Sequence, residues 1–273
     1  MLHQRPHTKQ NGAYYIPRNR IIAGVADGLL VVESPVNGEP FFEYIEGVAV
    51  PAMKKVQYTF SYEDVTGIFG RWDKGFLLTL KPEQEEAFQM WTEEGSKMVW
   101  LCGNWSVRLY RFALWVGYGL MTLPIETVAI HSSCIVYKDK AILFLGESGT
   151  GKSTHTRLWR EHIPGAMLLN DDSPMIRVED GKVWAYGSPW SGKTPCYKQE
   201  RYELVGCVRL SQAPFNRIQK LSVLQAYGAI HPSCPPEFAY DTVLYDRVSG
   251  FIATYTASKE DLRAQASMGI ALP

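Results

Sequence analysis

Residues 146–154, GESGTGKST, constrain this chain more than any other segment. They fit the Walker A pattern G-x-x-x-x-G-K-[ST], in which glycines let the backbone wrap around phosphate oxygens and direct N–H groups at them. This mechanism needs a strand before the loop and a helix after it. The run AILFL precedes the loop, and THTRLWREH follows it with helical character. The segment therefore predicts a phosphate-binding loop (P-loop) for a nucleoside triphosphate.

Individual P-loop residues have expected parts in nucleotide binding. Lys152 is expected to reach the β- and γ-phosphates, Ser153 to hold Mg²⁺, and Thr154 to touch the α-phosphate. The following helix adds the positive end of its dipole. The rest of the cradle is Gly146, Glu147, Ser148, Gly149, Thr150 and Gly151. The expected cofactors are Mg²⁺ and ATP or another nucleoside triphosphate, with the choice between ATP and GTP left open.

Two adjacent carboxylates, Asp171 and Asp172, end the apolar run AMLLN downstream of the P-loop. This is the placement expected of a Walker-B-like acid. One carboxylate of such a pair can hold Mg²⁺, directly or through water, while the other accepts the proton of an attacking hydroxyl. The same residues also fit an Asp-rich turn into Ser173 and Pro174. The pattern alone does not decide which aspartate has which role.

Residues 187–194, GSPWSGKT, fit the Walker A pattern a second time. A proline inside this segment removes a backbone N–H from the would-be cradle, and a proline directly after it disfavours a helix there. We therefore expect no second phosphate cradle. Trp190, Gly192 and Lys193 are candidates for a substrate loop that closes over the site. A structural turn with an exposed lysine is the alternative.

His131 lies in the otherwise apolar strand pattern VAIHSSCIVY. A lone histidine in a strand is more often a satisfied core residue than a catalytic one. The other histidines show no metal-ligand spacing. From the residues alone, a catalytic role for His131 stays open beside a structural one.

Composition narrows the classes of partner and compartment. Basic and acidic residues balance at 28 each, so the overall charge predicts neither nucleic acid nor an anionic membrane as partner. The five cysteines are odd in number and lack a C-x-x-C pair, which favours free thiols in a reducing cytosol. The start of the chain lacks an apolar signal-peptide core, and the uncharged stretch 112–125 is shorter than the roughly 20 residues of a membrane span. We expect a cytoplasmic protein.

The N-terminal third predicts a β-rich region. Between residues 14 and 80, short β-prone runs alternate with Gly, Pro, Asn and Asp, as in antiparallel sheets. A helix is expected over PEQEEAFQMWTEE, from Pro82 to before Gly95, and a second helix over residues 105–120. We divide the chain into an accessory region at residues 1–103 and a nucleotide-binding catalytic domain at residues 104–273.

The remainder predicts alternating strands and helices. VAIHSSCIVY and AILFL form a hairpin or two neighbouring strands, and PMIRV and KVWAYG flank a hairpin turn. AMLLN and LVGCVRL are expected strands, and KLSVLQAYGAI is an expected helix. TVLYDRVSGFIATYT is expected to be further strand.

The order His131, GESGTGKST, Asp171-Asp172 and GSPWSGK resembles that of the HPr kinase/phosphorylase-like group. GESGTGKST followed by LLNDD is also similar to segments of the phosphoenolpyruvate carboxykinases, which share that nucleotide-binding architecture. The resemblance covers roughly residues 128–230. It implies a mixed α/β (α+β) fold, in which a mixed, largely β-structured sheet packs with helices, unlike the parallel sheet of most P-loop NTPases.

The resemblance also implies roles and an acceptor. Asp171 would be the general base, and Asp172 would be a metal ligand together with Ser153. His131 would face the phosphates, where Lys152 acts on the transferring group. The acceptor implied is a serine-type hydroxyl on a protein, a peptide or a small molecule.

Two departures limit what the resemblance implies. The chain lacks the glycine- and arginine-containing segment that bifunctional HPr enzymes carry. The resemblance therefore implies neither HPr as substrate nor the reverse reaction. It also lacks the arginine-rich substrate constellation of a carboxykinase. GSPWSGK followed by VRLSQAPFNRI instead looks like HPr-kinase-related proteins, some of which are associated with peptide-modification clusters.

The leading hypothesis is an ATP-dependent kinase, a phosphotransferase acting on a hydroxyl acceptor. A carboxykinase-like enzyme is one alternative, and Arg201, Arg209 or Arg217 would then have to converge beside the γ-phosphate. A nucleotide-binding regulatory protein without turnover is the other. The identity of the acceptor and the oligomeric state, a homo-oligomer included, are left open.

Overall fold

A computed structural model of the chain describes most residues from residue 49 onwards, together with three strands before it. The described residues are 23–26, 29–33, 40–43, 49–96, 99–103, 107–188, 190–192, 194, 196, 198, 200–258 and 263–269. The chain divides after Pro124 into two compact units, with Ala239–Thr242 belonging to the first unit.

An eight-stranded sheet forms the first unit. Its strands are β1 (Ala23–Ala26), β2 (Leu29–Glu33), β3 (Pro40–Glu43), β4 (Lys55–Tyr62), β5 (Val65–Trp72), β6 (Gly75–Pro82), β7 (Phe88–Glu93) and β8 (Val99–Cys102). Their order is β1-β2-β3-β8-β7-β6-β5-β4. Neighbouring strands are antiparallel except β3 and β8, which are parallel. The predicted β-rich character of this region is confirmed.

The helix predicted from Pro82 onwards is wrong. Pro82 ends β6 instead of opening a helix, and Phe88–Glu93 is strand β7. β7 lies between β6 and β8 and pairs with both, and Phe88 and Met90 are fully buried. Pairing on both sides and burial outweigh the local helix preference of the acidic run, because strand formation depends more on tertiary context than on propensity.

The second predicted helix is confirmed as α1 (Val107–Thr122). It contacts β7 and buries Leu109, Tyr110 and Ala113. Packing on this sheet places α1 in the first unit, so the compact units divide later than the boundary expected between residues 103 and 104. The functional division into an accessory region and a catalytic domain stays a prediction.

A nine-stranded mixed sheet forms the second unit. Its strands are β9 (Thr127–Ala129), β10 (Ser133–Tyr137), β11 (Lys140–Leu145), β12 (Met167–Asn170), β13 (Met175–Glu179), β14 (Lys182–Tyr186), β15 (Arg201–Ala213), β16 (Arg217–Lys220) and β17 (Arg263–Gly269). Seven of them follow the order β12-β10-β11-β15-β14-β13-β9, while β17 pairs with β15 and β16. β15 is parallel to β11 and β17, and the other pairs are antiparallel.

Three further α-helices follow along the chain: α2 (Lys152–His162), α3 (Val223–Ile230) and α4 (Thr242–Ser258). The expected mixed fold of sheets and helices is confirmed, as are both hairpins, β10/β11 and β13/β14. None of the helices in the described residues is long and apolar enough to cross a membrane.

The strand expected over TVLYDRVSGFIATYT is wrong, because these residues lie in α4. The buried side chains Leu244, Val248, Phe251, Ile252 and Tyr255 recur at helical spacing. The β-branched and aromatic residues of this segment favour strand locally, but one continuous buried stripe is available only to a helix.

All five cysteines are free. Burial raises the pKa of Cys207 and Cys234 to about 12, so these thiols stay protonated and behave as small core residues.

Candidate functional site

The P-loop occupies the connection between β11 and α2, so the predicted order of strand, loop and helix is confirmed. Gly151 precedes α2 in a left-handed conformation with φ 97°, which glycine adopts at little cost. Gly146 has φ 152°, and a Cβ on it would lie 2.4 Å from Thr150 Oγ1. Thr150 in turn donates to the carbonyl of Glu147 at 2.8 Å. The left-handed conformation accounts for Gly151, and the close approach of Thr150 accounts for Gly146.

Lys152 folds back over the P-loop. Its Nζ donates to the carbonyl oxygens of Gly146 at 2.8 Å and Glu147 at 3.3 Å. Desolvation lowers the pKa of Lys152, against the opposing attraction of Asp172 and Glu147. Because the two acceptors within the loop are neutral carbonyls, a phosphate oxygen would be a stronger partner for this ammonium group.

His131 lies between the lysine and one of the aspartates. Its Nε2 is 3.1 Å from Lys152 Nζ, and its Nδ1 is 3.4 Å from Asp172 Oδ1. Desolvation and then the charge of Lys152 lower the pKa of His131, against Asp172 and Glu147, and this favours the neutral ring. A single neutral tautomer serves both contacts, with Nδ1–H facing Asp172 and Nε2 accepting from Lys152. The side chain is 48% exposed, which does not fit a core histidine.

The two aspartates differ in their surroundings. Asp171 is only 6% exposed, and its Oδ1 accepts a hydrogen bond from Ser133 Oγ at 2.7 Å. Its Oδ2 is buried and has no hydrogen-bond partner among the described residues. The side chain of Asp172 is 39% exposed and faces His131. The pair therefore offers one buried carboxylate and one that solvent and ions can reach.

Asn170, which was not among the residues expected in the site, holds this pair in place. Its Oδ1 accepts from the backbone N–H groups of Asp172 at 2.9 Å and Ser173 at 2.8 Å. Its Nδ2 lies within 3.3 Å of three acceptors on Ser188 and Trp190. An asparagine before Asp-Asp-Ser is itself a turn signal, because its side chain can accept from backbone N–H groups two residues on.

The GSPWSGKT segment packs directly against the aspartate turn. Ser188 Oγ donates to the carbonyl of Ser173 at 2.7 Å. A Cβ on Gly192 would lie 2.9 Å from the carbonyl oxygen of Asp171. Trp190 is buried rather than open to solvent. Lys193 lies outside the described residues, and the role of this segment as a substrate loop stays a prediction.

Arg209 and Gln212 reach the P-loop from β15. The parallel register of β11 and β15 places Arg209 opposite Leu145, the residue before the loop. Its guanidinium donates to Glu147 Oε1 at 2.6 Å, and Gln212 Nε2 donates to the carbonyl of Gly149 at 3.2 Å. Arg201 instead contacts Glu179 and Tyr186. The sequence holds no local signal for these contacts, because they depend on which strand pairs with β11.

The oxygen ligands available suit Mg²⁺. Ser153 and Thr154 are exposed in the first turn of α2, and Asp172 contributes a partly exposed carboxylate. The described part of the chain contains no group of three His, Cys, Asp or Glu residues that could hold a metal ion. Magnesium commonly takes only one or two protein ligands and completes its shell with phosphate oxygens and water. Ser153 and Asp172 fit that requirement.

No family model matches the chain, and no curated protein matches it. Among solved structures, the Hpr(Ser) kinase/phosphatase from Coxiella burnetii is similar over 34% of this chain and 77% of that chain, with 15% identity. The TM-score is 0.26, a value too low to establish a shared fold.

Proposed function

We propose that this protein is an ATP-dependent kinase that transfers the γ-phosphoryl group to a serine-type hydroxyl on a protein, a peptide or a small molecule. One observation carries the proposal: His131 lies between the P-loop lysine Lys152 and Asp172, with the buried Asp171 adjacent. These contacts support a single site that combines a phosphate cradle with a carboxylate pair, as phosphoryl transfer to a hydroxyl requires.

On the donor side, the P-loop amides and Lys152 bind the phosphates. Phosphate oxygens replace the carbonyls of Gly146 and Glu147 as partners of the ammonium group. Ser153 and Asp172 would hold Mg²⁺, which neutralises negative charge on the β- and γ-phosphates when bound. His131 keeps its neutral ring between Asp172 and Lys152, so it orients both without adding a third charge.

On the acceptor side, Asp171 is the general base. The acceptor hydroxyl gives its proton to Asp171 as its oxygen bonds to the γ-phosphorus. The bond from that phosphorus to the bridging oxygen breaks, and the nucleoside diphosphate leaves. Oδ2 of Asp171 supports this role because it is the carboxylate oxygen without a partner among the described residues. Most of the rate would come from alignment and charge neutralisation.

We also propose a carboxykinase-like core for the second unit, with the HPr-kinase-related proteins as the family. The P-loop follows β11, whose two neighbours β10 and β15 run antiparallel and parallel to it. This mixed arrangement differs from the parallel sheets of most P-loop NTPases and supports the resemblance seen in the motifs. We assign the catalytic work to residues 104–273 and an accessory role to residues 1–103.

Transfer of labelled γ-phosphate tests the function. Wild type, Lys152→Ala and Asp171→Asn are incubated with ATP or GTP and fractions of a cell lysate, and nucleotide binding is measured in parallel. We expect a labelled acceptor with wild type and none with Lys152→Ala. Asp171→Asn should keep nucleotide binding and lose most of the transfer. Lys138→Ala, which replaces an exposed lysine in the turn between β10 and β11, is the control.

Other outcomes identify the alternatives. Nucleotide binding with neither hydrolysis nor transfer, unchanged in Asp171→Asn, would indicate the regulatory protein. Nucleotide-dependent decarboxylation of an oxaloacetate-type acid would indicate the carboxykinase-like enzyme. Of the candidate arginines Arg201, Arg209 and Arg217, Arg209 contacts the P-loop residue Glu147.

A further inference from the structure

Three buried side chains from separate elements form a line that ends on Asp171. Thr156 lies on α2, Ser133 begins β10, and Asp171 follows β12. Thr156 Oγ1 is 2.9 Å from Ser133 Oγ, which is 2.7 Å from Asp171 Oδ1. Thr156 and Ser133 are each 1% exposed. Because these two hydroxyls and the carboxylate are buried, their hydrogen bonds have to be made largely with one another.

The chemistry of the groups sets the direction of donation. An ionised carboxylate only accepts hydrogen bonds, so Ser133 gives its single hydroxyl hydrogen to Asp171. The contact between Ser133 and Thr156 then needs the hydrogen of Thr156. Thr156 Oγ1 is also 3.2 Å from the carbonyl of Ser153, a longer and weaker alternative. The resulting chain runs from Thr156 through Ser133 to Asp171.

We propose that Ser133 and Thr156 are positioning residues, which hold Asp171 by Oδ1 and thereby direct Oδ2 at the acceptor hydroxyl. The inference rests on the proposed function only in naming Asp171 as the base. A carboxylate has two equivalent oxygens, and a hydrogen bond to one of them fixes the rotation of the group. These hydrogen bonds therefore limit the rotation of the Asp171 carboxylate, so that it accepts a proton from one defined direction.

The chain also ties the base to the P-loop. Thr156 lies one turn beyond Ser153 on α2, the helix whose first residues are expected to bind phosphate and Mg²⁺. A displacement of this helix relative to β10 would therefore change the position of the Asp171 carboxylate, because the two hydroxyls connect them. The helix that begins in the P-loop is thus linked to Asp171 by two hydrogen bonds, and a catalytic arrangement has to be held within about 0.5 Å of its productive geometry.

Ser132 supplies a matched control. It precedes Ser133 in sequence and is fully buried, but its hydroxyl donates to the backbone carbonyl of Ile130 at 3.0 Å. Ser132→Ala and Ser133→Ala therefore remove the same atom from neighbouring buried positions. Thr156→Val removes the hydroxyl at nearly constant volume, whereas Thr156→Ser keeps it.

Steady-state kinetics of transfer to the labelled acceptor test the inference. We expect kcat to fall roughly 10- to 100-fold in Ser133→Ala and Thr156→Val, with KM for ATP within about twofold of wild type. Ser132→Ala and Thr156→Ser should stay near wild type. The inference fails if Ser133→Ala matches Ser132→Ala, or if KM for ATP rises while kcat is unchanged.

A stability cycle separates this inference from the proposed function. Urea unfolding midpoints are measured for Ser133→Ala, Asp171→Ala and the double variant, with Ser132→Ala in place of Ser133→Ala as the comparison cycle. We expect the changes in the free energy of unfolding to be non-additive in the cycle with Ser133→Ala and additive in the cycle with Ser132→Ala. If wild type transfers no phosphoryl group, the proposed function fails while the cycle still decides whether Ser133 holds the carboxylate. An additive Ser133 cycle overturns the inference even where transfer occurs.

Discussion

The P-loop and the surroundings of Asp171 belong to one site but differ in construction. In the P-loop, residues 147–149 are exposed, and Lys152 hydrogen-bonds carbonyls of its own loop. Around Asp171, the hydrogen-bonding side chains are buried and come from strands, a helix and a loop that are distant in sequence. The P-loop is therefore built from local contacts and is open to solvent, whereas the surroundings of Asp171 are built from long-range contacts and are closed to it.

This difference fits what the proposed function would require of each region. Phosphates that arrive with water and leave again would need a loop that solvent reaches, as residues 147–149 are. A base would have to face one hydroxyl in one direction, and the carboxylate of Asp171 accepts a hydrogen bond from the buried Ser133. Each buried polar group left unsatisfied costs about 1–3 kcal/mol, so the surroundings of Asp171 depend on every member of their network.

Asn170→Ala gives the largest stability effect and would break the closed side. The change leaves the N–H groups of Asp172 and Ser173 and the acceptors on Ser188 and Trp190 without the amide. We expect a loss of about 4 kcal/mol in the free energy of unfolding, since several groups of the two loops lose one hydrogen bond each at once. Urea unfolding measures it. A loss below about 1 kcal/mol would show that the two loops are held mainly by other contacts.

Glu237→Gln tests a second buried carboxyl, because Oε2 of Glu237 has no hydrogen-bond partner among the described residues. Burial raises the pKa of Glu237 from 4.5 to about 7. The folded protein therefore holds this proton more tightly than the unfolded chain, and stability falls as pH rises from about 4.5 to 7. At pH 8 the glutamine variant should be more stable than wild type by at most about 3 kcal/mol.

Unfolding of wild type and Glu237→Gln at pH 5 and pH 8 checks this expectation. The difference between the two proteins should grow with pH, because titrations elsewhere are common to both. An equal difference at both pH values would mean that Glu237 stays ionised, or finds a partner, in the folded protein.

Two glycine-to-alanine changes give the smallest effects and compare the sides directly. Gly149 has φ 81° and open space where a methyl group would lie, so Gly149→Ala should cost about 1–2 kcal/mol of backbone strain with little change in Asp171. A methyl group on Gly192 meets the carbonyl of Asp171 at 2.9 Å, which must shift. We expect Gly192→Ala to lower kcat more than Gly149→Ala does at a similar unfolding midpoint. Equal kcat values would show that Asp171 tolerates the shift.

The residues that could be found from sequence share a property: their signal is local. The P-loop is contiguous, and its flanking strand and helix could be predicted from a few residues on each side. Asp171 and Asp172 could be found because they end an apolar run, and both hairpins because turn residues separate their strands. The helix predicted after Pro82 and the strand predicted at α4 failed because local preference there opposes the buried pattern.

The residues that were missed depend on pairing. Ser133 and Thr156 are an ordinary strand serine and an ordinary helix threonine until β10 and α2 come together beside Asp171. Arg209 meets the P-loop only because β15 is the parallel neighbour of β11. His131 could be noticed but not assigned, since the pattern of an apolar strand gave no sign that Lys152 and Asp172 lie at its two nitrogens.

The amino-acid sequence alone predicts a phosphate-binding loop, because glycine conformation and a neighbouring lysine act over nine consecutive residues. It also determined that two carboxylates follow a buried strand. Tertiary structure alone decided that Asp171 is the buried one of the pair and Asp172 the accessible one, and which hydroxyls touch them. Burial and side-chain hydrogen bonds are set by strand order and register, which bring together residues that no local pattern connects.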